Sequence, residues 1–281
     1  MIQNHKNLLI SKLFDIDILD VMLGNYKLND SQNQLLDQKL ELLQSGVPLD
    51  YVVGWVEVLG LKLKLNNAIL IPREETEWWL PKVVQIILKS NFQTSSRTNL
   101  QPNYQNLITG VDLGTGSGLI GLYLVRELGV YLGQFHLLDI DQKVLDTSKI
   151  NAEANLQTKI FERCNFILSD GLSALPKFSN NWFLVANLPY LPTTDIVKAK
   201  EFNVSFEPQL ALYSGEDGLE LYRQILVQLQ SQRDILPFLT VWELDPRNIQ
   251  VAKVLLEKIG YITEIWIDQN NQKRVLVGFK S

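Results

Sequence analysis

Two short stretches of this 281-residue chain carry residue types that can do chemistry at close quarters. The first is Asn187-Leu188-Pro189-Tyr190, where an apolar run ends in an amide, a proline and a phenol. The Asn187 side-chain oxygen and the Leu188 carbonyl can each accept one hydrogen of a planar –NH₂ group, such as a carboxamide or an aromatic amine. Such a nitrogen is a poor nucleophile, because its lone pair is delocalised. Holding both hydrogens fixes its orientation and favours positive charge developing on it. Tyr190 can wall the pocket by stacking on the planar group. An Asn, a Pro and a Tyr after a strand also make an ordinary terminating turn, and the stretch alone leaves both readings open.

The second stretch is Val111 to Gly121, "VDLGTGSGLIG". Gly114, Gly116 and Gly118 lie where a strand hands over to a helix, so the backbone can turn sharply and approach a ligand without an intervening side chain. The spacing is Gly-x-Gly-x-Gly, and counted from Gly114 it is not the Gly-x-Gly-x-x-Gly that a dinucleotide pyrophosphate wants. Asp139 falls at the end of the next strand, where a carboxylate can accept from both hydroxyls of a ribose. Asp170 ends the strand after that, within reach of an adenine edge. Acids at two successive strand ends turn a bare glycine loop into a nucleoside-binding pattern, because open α/β sheets bind ligands at the carboxyl ends of their strands.

The elements that must position these residues are legible from periodicity. Apolar runs at 107–112, 134–139, 164–169, 182–187, 236–243, 260–267 and 274–279 read as strands, and helical runs near 118–128, 141–155, 217–232 and 246–259 separate most of them. That alternation predicts an α/β fold: a Rossmann-like, seven-stranded, mostly parallel, doubly wound sheet. Only "DQNNQK" lies between the last two strands, too little for a parallel crossover, so the final strand must run antiparallel. Residues 1–48 read as a small helical N-terminal domain. Leu8, Leu9, Leu13, Ile16 and Leu19 recur at helical spacing, Ser31 to Gln34 resembles a capping box, and Gly46 and Pro48 close the last helix. From Tyr51 the pattern alternates, with Leu61, Leu63 and Leu65 opposed to Lys62 and Lys64. This predicts a linking β-hairpin within 49–72. The main domain then occupies 73–281, and the polar stretch 90–106 reads as a mobile surface loop.

Composition bounds the function. The net charge of −5 and the lack of a Lys/Arg-rich segment disfavour a protein that grips nucleic acid by its phosphates. One cysteine, Cys164, excludes an internal disulfide and suits a reducing cytoplasm. Its strand context makes it a small buried residue, not a nucleophile. The two histidines, His5 and His136, lack ligand spacing, so no metal site is expected. The start of the chain lacks a signal peptide's apolar core, and no apolar run is long enough to span a bilayer, so a soluble cytoplasmic protein is expected.

Taken together, the glycine loop, the ribose acid and "NLPY" after the fourth strand resemble class I, S-adenosylmethionine-dependent amino-methyltransferases, whose usual motif is Asn-Pro-Pro-Tyr. Three further segments narrow the likeness. "YVVGWVEVLGLKLKLNNAILIPREETEWWL" resembles the hairpin and "IPR-x-x-T-E" signature of the peptide chain release factor glutamine methyltransferases. "SFEPQLALYSGEDGLELYRQIL" and the terminal "RVLVGFK" are similar to two other segments of that family. The resemblance covers nearly the whole chain, including the helical domain with which the family holds its protein substrate.

The resemblance implies transfer of the methyl of S-adenosylmethionine to the glutamine amide nitrogen in the Gly-Gly-Gln motif of release factors. It implies a protein partner, with no direct nucleic-acid or membrane binding. Gly114, Thr115, Gly116, Ser117 and Gly118 would cradle the cofactor, Asp139 its ribose, and Asp170 and Gly171 its adenine. Asn187 would touch both cofactor and substrate, Asn187, Pro189 and Tyr190 would form the catalytic set, and Leu188 would join them in holding the glutamine amide. Arg73, Thr76 and Glu77 occupy the "IPR-x-x-T-E" positions beside the site, where Glu74, Glu75 and Glu77 also suit a helix start.

Two positions depart from the family. Gly171 stands where a bulky aromatic is common, which leaves adenine stacking weaker or supplied by another side chain. Leu188 replaces the first proline; the carbonyl survives and the fixed φ is lost. Two other readings stay open: an adenine amino-methyltransferase acting on nucleic acid, and a cofactor-binding protein without transfer activity. The six tryptophans read as core or interface residues. Glu243 and Asp245 end the fifth strand near the crevice, with a helix-capping role expected for Asp245.

Overall fold

The computed structural model describes residues 2–93, 107–178, 181–196, 206–231 and 236–281. Its N-terminal part is four helices, α1 (Ile2–Phe14), α2 (Ile18–Leu23), α3 (Asp30–Gln44) and α4 (Leu49–Val53). They close around a small core of Leu9, Ile10, Val21, Leu36, Val52 and Val53. The expected single apolar stripe is broken after Phe14, where Asp15 takes φ 54°. Leu19, beyond the break, is therefore exposed although the spacing placed it inward, and Leu8 within α1 is exposed too. The capping box forms two residues earlier than predicted. Asn29 accepts from the Gln32 backbone (2.9 Å) while its own N–H donates to Gln32 Oε1 (3.0 Å). Both Asn29/Gln32 and Ser31/Gln34 fit the motif, and the backbone starts its helix at Asp30.

Tyr51-Val52-Val53, expected as strand, belongs to α4. Pro48 precedes that helix in an extended conformation and Gly54 ends it at φ 88°. Here packing overrides β-propensity, since Val52 and Val53 complete the helical core. The hairpin follows as β1 (Trp55–Val58) and β2 (Leu61–Lys64), with Leu61 and Leu63 buried and both lysines outward.

The main sheet has seven strands. They are β3 (Ile108–Leu113), β4 (Leu132–Asp139), β5 (Cys164–Leu168), β6 (Trp182–Ala186), β7 (Leu239–Glu243), β8 (Tyr261–Ile267) and β9 (Lys273–Lys280). Their order is β5-β4-β3-β6-β7-β9-β8, with β5 to β7 parallel and β9 antiparallel to both its neighbours. The mostly parallel sheet with an antiparallel last strand is thus as expected, and β6 lies beside β3.

One face carries α5 (Glu74–Gln93) and α6 (Leu119–Leu128) over Phe135, Leu137 and Val185. The opposite face carries α9 (Glu220–Ser231) and α10 (Ile249–Lys258) over Leu138, Leu184 and Trp242. Adjacent strand residues go to opposite cores, as the two-residue period requires. Helices α7 (Gln142–Asn155) and α8 (Thr158–Phe161) connect β4 to β5. Residues 90–93, expected in the polar loop, continue α5, and the rest of that stretch, 94–106, lies outside the described residues. Among the described residues no helix is long and apolar enough to cross a membrane.

The hairpin is tied to the main domain by two amides one helical turn apart on α7. Asn151 and Asn155 accept from the Lys64 and Lys62 backbone N–H groups (2.7 and 2.9 Å) and donate back to the carbonyls of the same residues (3.1 and 2.9 Å). Asn151 is buried and also donates to the Ser117 carbonyl (2.8 Å), so one side chain pins the hairpin to the glycine loop. This fixes where the segment from Leu65 to Arg73 crosses the sheet's carboxyl end.

Candidate functional site

That crossing roofs a cleft of about 260 Å³ at the carboxyl ends of β3, β4, β5 and β6. Gly114, Thr115, Gly116 and Ser117 form one wall, Asp139, Asp170 and Gly171 another, and Asn187, Leu188 and Pro189 a third. Ile69, Pro72, Arg73 and Thr76 close it from the strap and the start of α5. Residues far apart in sequence thus meet where open α/β sheets bind ligands.

The glycine loop is shaped from below. Asp112 is fully buried; its Oδ2 accepts from the Thr115 hydroxyl (2.7 Å) and the Gly121 N–H (2.9 Å). Burial pushes its carboxyl up to about 7, against the lowering effect of those two bonds. Gly114 and Gly116 have φ of 69° and 56°, and a Cβ on Gly114 would lie 2.7 Å from Leu188 Cδ2. The Leu188 side chain therefore packs on the bare backbone of the loop, a contact beyond the role expected for its carbonyl. Asp139 accepts from the Gly116 and Asp141 N–H groups (each 3.1 Å), and burial raises its carboxyl above the usual range.

Three residues expected at the site are not on the cleft wall. Gly118, at φ 88°, caps α6 and makes room for Ser148, whose Oγ would lie 2.7 Å from an added Cβ. Glu77 is half-buried one residue past Thr76, its carboxyl raised by burial and then by Glu74. The Tyr190 phenol turns to Glu243 Oε1 (3.4 Å), and burial raises its pKa.

Glu243, at the end of β7, lies beneath the cleft and not on its wall. Its Oε2 accepts from the Thr76 hydroxyl (2.7 Å) and the Trp79 indole (2.8 Å), and Asn187 Nδ2 donates to Thr76 Oγ1 (3.2 Å). Burial raises the Glu243 carboxyl. Asp245 accepts from the Arg247 backbone (2.8 Å) and pairs with its guanidinium (2.6 Å), stabilising the turn ahead of α10 instead of capping the helix, which starts after Asn248. Arg73 pairs with Glu207 (2.5 Å), joining the "IPR" and "FEP" segments at the edge of the cleft. Half-buried Cys164 has its thiol pushed up to about 12 by burial, as fits a structural role.

At Asp170, helix α9 completes the wall of the cleft. Gln224 donates to Asp170 Oδ1 (2.9 Å), Gln228 accepts from the Leu172 N–H (2.7 Å), and Leu221, Gln224 and Ile225 line the cleft. Gly171 sits at φ 58°, and a Cβ there would collide with Gln228 and Ile225. The wall that an aromatic often supplies is built here from α9. The amphipathic run 217–232 contained these residues, but nothing in its period marked which would reach across to β5.

A seven-stranded sheet of this order, with a glycine loop and acids at successive strand ends, defines a Rossmann-like domain of the fold that methyltransferases share. Solved structures agree at the level of fold. The hMettl16 catalytic domain in complex with an RNA hairpin superposes with a TM-score of 0.57 at 14% identity, covering 90% of this chain and 81% of that one. A human methyltransferase 10 domain containing protein gives 0.52 at 14%, covering 91% and 100%.

No family model matches the chain. Curated relatives place it more closely. It is 30% identical over 237 residues to the release factor glutamine methyltransferase of Deinococcus radiodurans, covering 84% of this chain and 75% of the relative. The enzyme of the same name from Lactococcus lactis is 31% identical over 203 residues, covering 72% and 66%. That from Streptococcus pneumoniae is 30% identical over 196 residues, covering 70% and 61%, so the matched region spans slightly under two thirds of these last two relatives. The chain belongs to the release factor glutamine methyltransferase family.

Proposed function

We propose that this chain transfers the methyl group of S-adenosylmethionine to the side-chain amide nitrogen of the glutamine in the Gly-Gly-Gln loop of peptide chain release factors, acting in the cytoplasm. The observation that carries this reading is the placing of Asn187 and Leu188 on the same cleft as the glycine loop, with Leu188 packed against Gly114.

The cleft residues fit the cofactor: bare backbone at Gly114 and Gly116, a carboxylate at Asp139 and another at Asp170. Gly114 to Ser117 would hold its amino-acid part, Asp139 its ribose hydroxyls, and Asp170 with Gly171 its adenine. When bound, S-adenosylmethionine supplies an electrophilic methyl on a sulfonium, which leaves as a neutral thioether without needing a proton.

The protein's part is positioning and electrostatics. Asn187 Oδ1 and the Leu188 carbonyl each accept one hydrogen of the glutamine –NH₂ and favour the positive charge that grows on nitrogen as its bond to carbon forms. The surplus amide proton departs afterwards to solvent, so no base is assigned. Leu188, Pro189 and Ile69 give the cleft apolar walls that exclude water. Residues 1–48 would hold the body of the release factor, 49–72 would link, and 73–281 would carry out transfer.

The test is incubation of the protein and labelled cofactor with release factor, with the same factor carrying Gln→Ala in its Gly-Gly-Gln loop, and with DNA. Label in the unaltered factor alone is the expected result. Label only in DNA points to the adenine reading, and label nowhere to a binding protein without transfer.

A further inference from the structure

A side-chain amide can present either its oxygen or its –NH₂ to the cleft, and the proposed reaction works with only one of them. If Nδ2 of Asn187 faced the substrate, two –NH₂ groups would meet, and the nitrogen to be methylated would lose an acceptor. We propose that Glu243, acting through Thr76, sets the polarity of Asn187 and is a positioning residue for amide methylation; the inference rests on the function proposed above.

The argument is one of donors and acceptors. Thr76 has a single hydroxyl proton, and it goes to Glu243 Oε2 (2.7 Å). Toward Asn187 the same oxygen can therefore only accept, and it receives Nδ2 (3.2 Å). With Nδ2 committed inward, Oδ1 is the amide atom left to the substrate.

Glu243 is held in the accepting role. Trp79 Nε1 donates to the same Oε2 (2.8 Å), and the Tyr190 hydroxyl approaches Oε1 (3.4 Å). Thr76, Trp79 and Glu243 are 3%, 0% and 2% exposed, so water does not compete for these bonds. The arrangement also gives Tyr190 a place in the site: it supports Glu243 from the strand end that carries Asn187.

Thr76→Val keeps the shape and removes the hydroxyl, whereas Thr76→Ser restores it. In Thr76→Val the kcat for release-factor methylation should fall roughly 100-fold, the loss expected for a misplaced orienting group. Cofactor Kd should stay within about tenfold. Thr76→Ser should recover most of the lost kcat. A purely structural defect would lower thermal stability and cofactor binding together.

A second readout needs no turnover: the side-chain ¹H–¹⁵N signals of Asn187, assigned by their loss in Asn187→Ala. One amide proton should exchange slowly in the wild type and in Thr76→Ser, and quickly in Thr76→Val. Wild-type kcat in a folded Thr76→Val, or fast exchange of both protons in the wild type, overturns the relay. If Thr76→Val does not fold, the wild-type spectrum decides. If the wild type methylates no release factor, the function proposed above fails, and slow exchange in the wild type still supports the relay.

Discussion

Asn187 and Asp112 show how differently two polar residues at neighbouring strand ends can serve one cleft. Asn187 lies on the cleft wall and, in the proposed reaction, touches the reacting amide. Asn187→Ala should abolish transfer while leaving cofactor affinity within about tenfold, or 1.4 kcal/mol. Filter binding and a methylation assay check both halves, and retained turnover would refute the amide-orienting role.

Asp112 never reaches the cleft. It holds the glycine loop through Thr115 and Gly121. Its carboxyl is raised from an ordinary 3.8 to about 7, with burial the main cause. Between those values the native state keeps a proton that the unfolded chain has released, so the stability from this group is full below pH 4 and lost as pH rises to about 7. Melting temperatures of the wild type and Asp112→Asn measured across pH should show the difference moving steadily against the wild type up to about pH 7 and levelling above it. A constant difference would mean that folding does not shift the Asp112 carboxyl.

At the scale of elements, the cleft is finished by pieces outside the sheet. The strap after β2 is held by Asn151 of α7, and the wall beside Asp170 is helix α9. Gly171 permits that second arrangement, since its left-handed backbone and missing Cβ let Gln228 and Ile225 approach. Restoring a bulky aromatic as Gly171→Phe should therefore weaken the protein instead of improving its cofactor site. A positive φ and the forced movement of α9 together should cost roughly 2–4 kcal/mol. Thermal denaturation and cofactor titration measure both effects. A variant as stable as the parent would show that α9 moves freely here.

Over the whole molecule, the four N-terminal helices keep a core of their own. They meet the hairpin through Trp55, with Lys12 and Lys62 over its ring and Lys12 paired to Asp50 (3.0 Å). On their outer side α2 exposes Leu19, Met22 and Leu23, each more than 60% accessible. If these helices hold the body of the release factor, Met22→Glu with Leu23→Glu should raise KM for the intact factor roughly tenfold, about 1.4 kcal/mol. KM for a short Gly-Gly-Gln peptide should hardly move. Equal effects on both substrates would place the recognition surface elsewhere.

Local chemistry explains what could be read from the chain before any fold was seen. Apolar runs such as 134–139 and 236–243, alternating with helical runs, marked a mostly parallel sheet, and six residues between the last two strands forced an antiparallel return. Glycines and acids at strand ends, with Asn187 after the strand beside them, placed the cleft, because a parallel sheet delivers all its carboxyl ends to one edge.

Whether a given side chain faces that cleft is a different kind of fact. Tyr190 was legible as a site residue, but its hydroxyl is claimed by Glu243. Val52 and Val53 prefer strand, yet complete a helical core. Thr76 meets Glu243 across 167 residues of chain. Neighbours in sequence fix backbone geometry and periodic burial. Which donor finds which acceptor is decided only when layers from distant parts of the chain pack together.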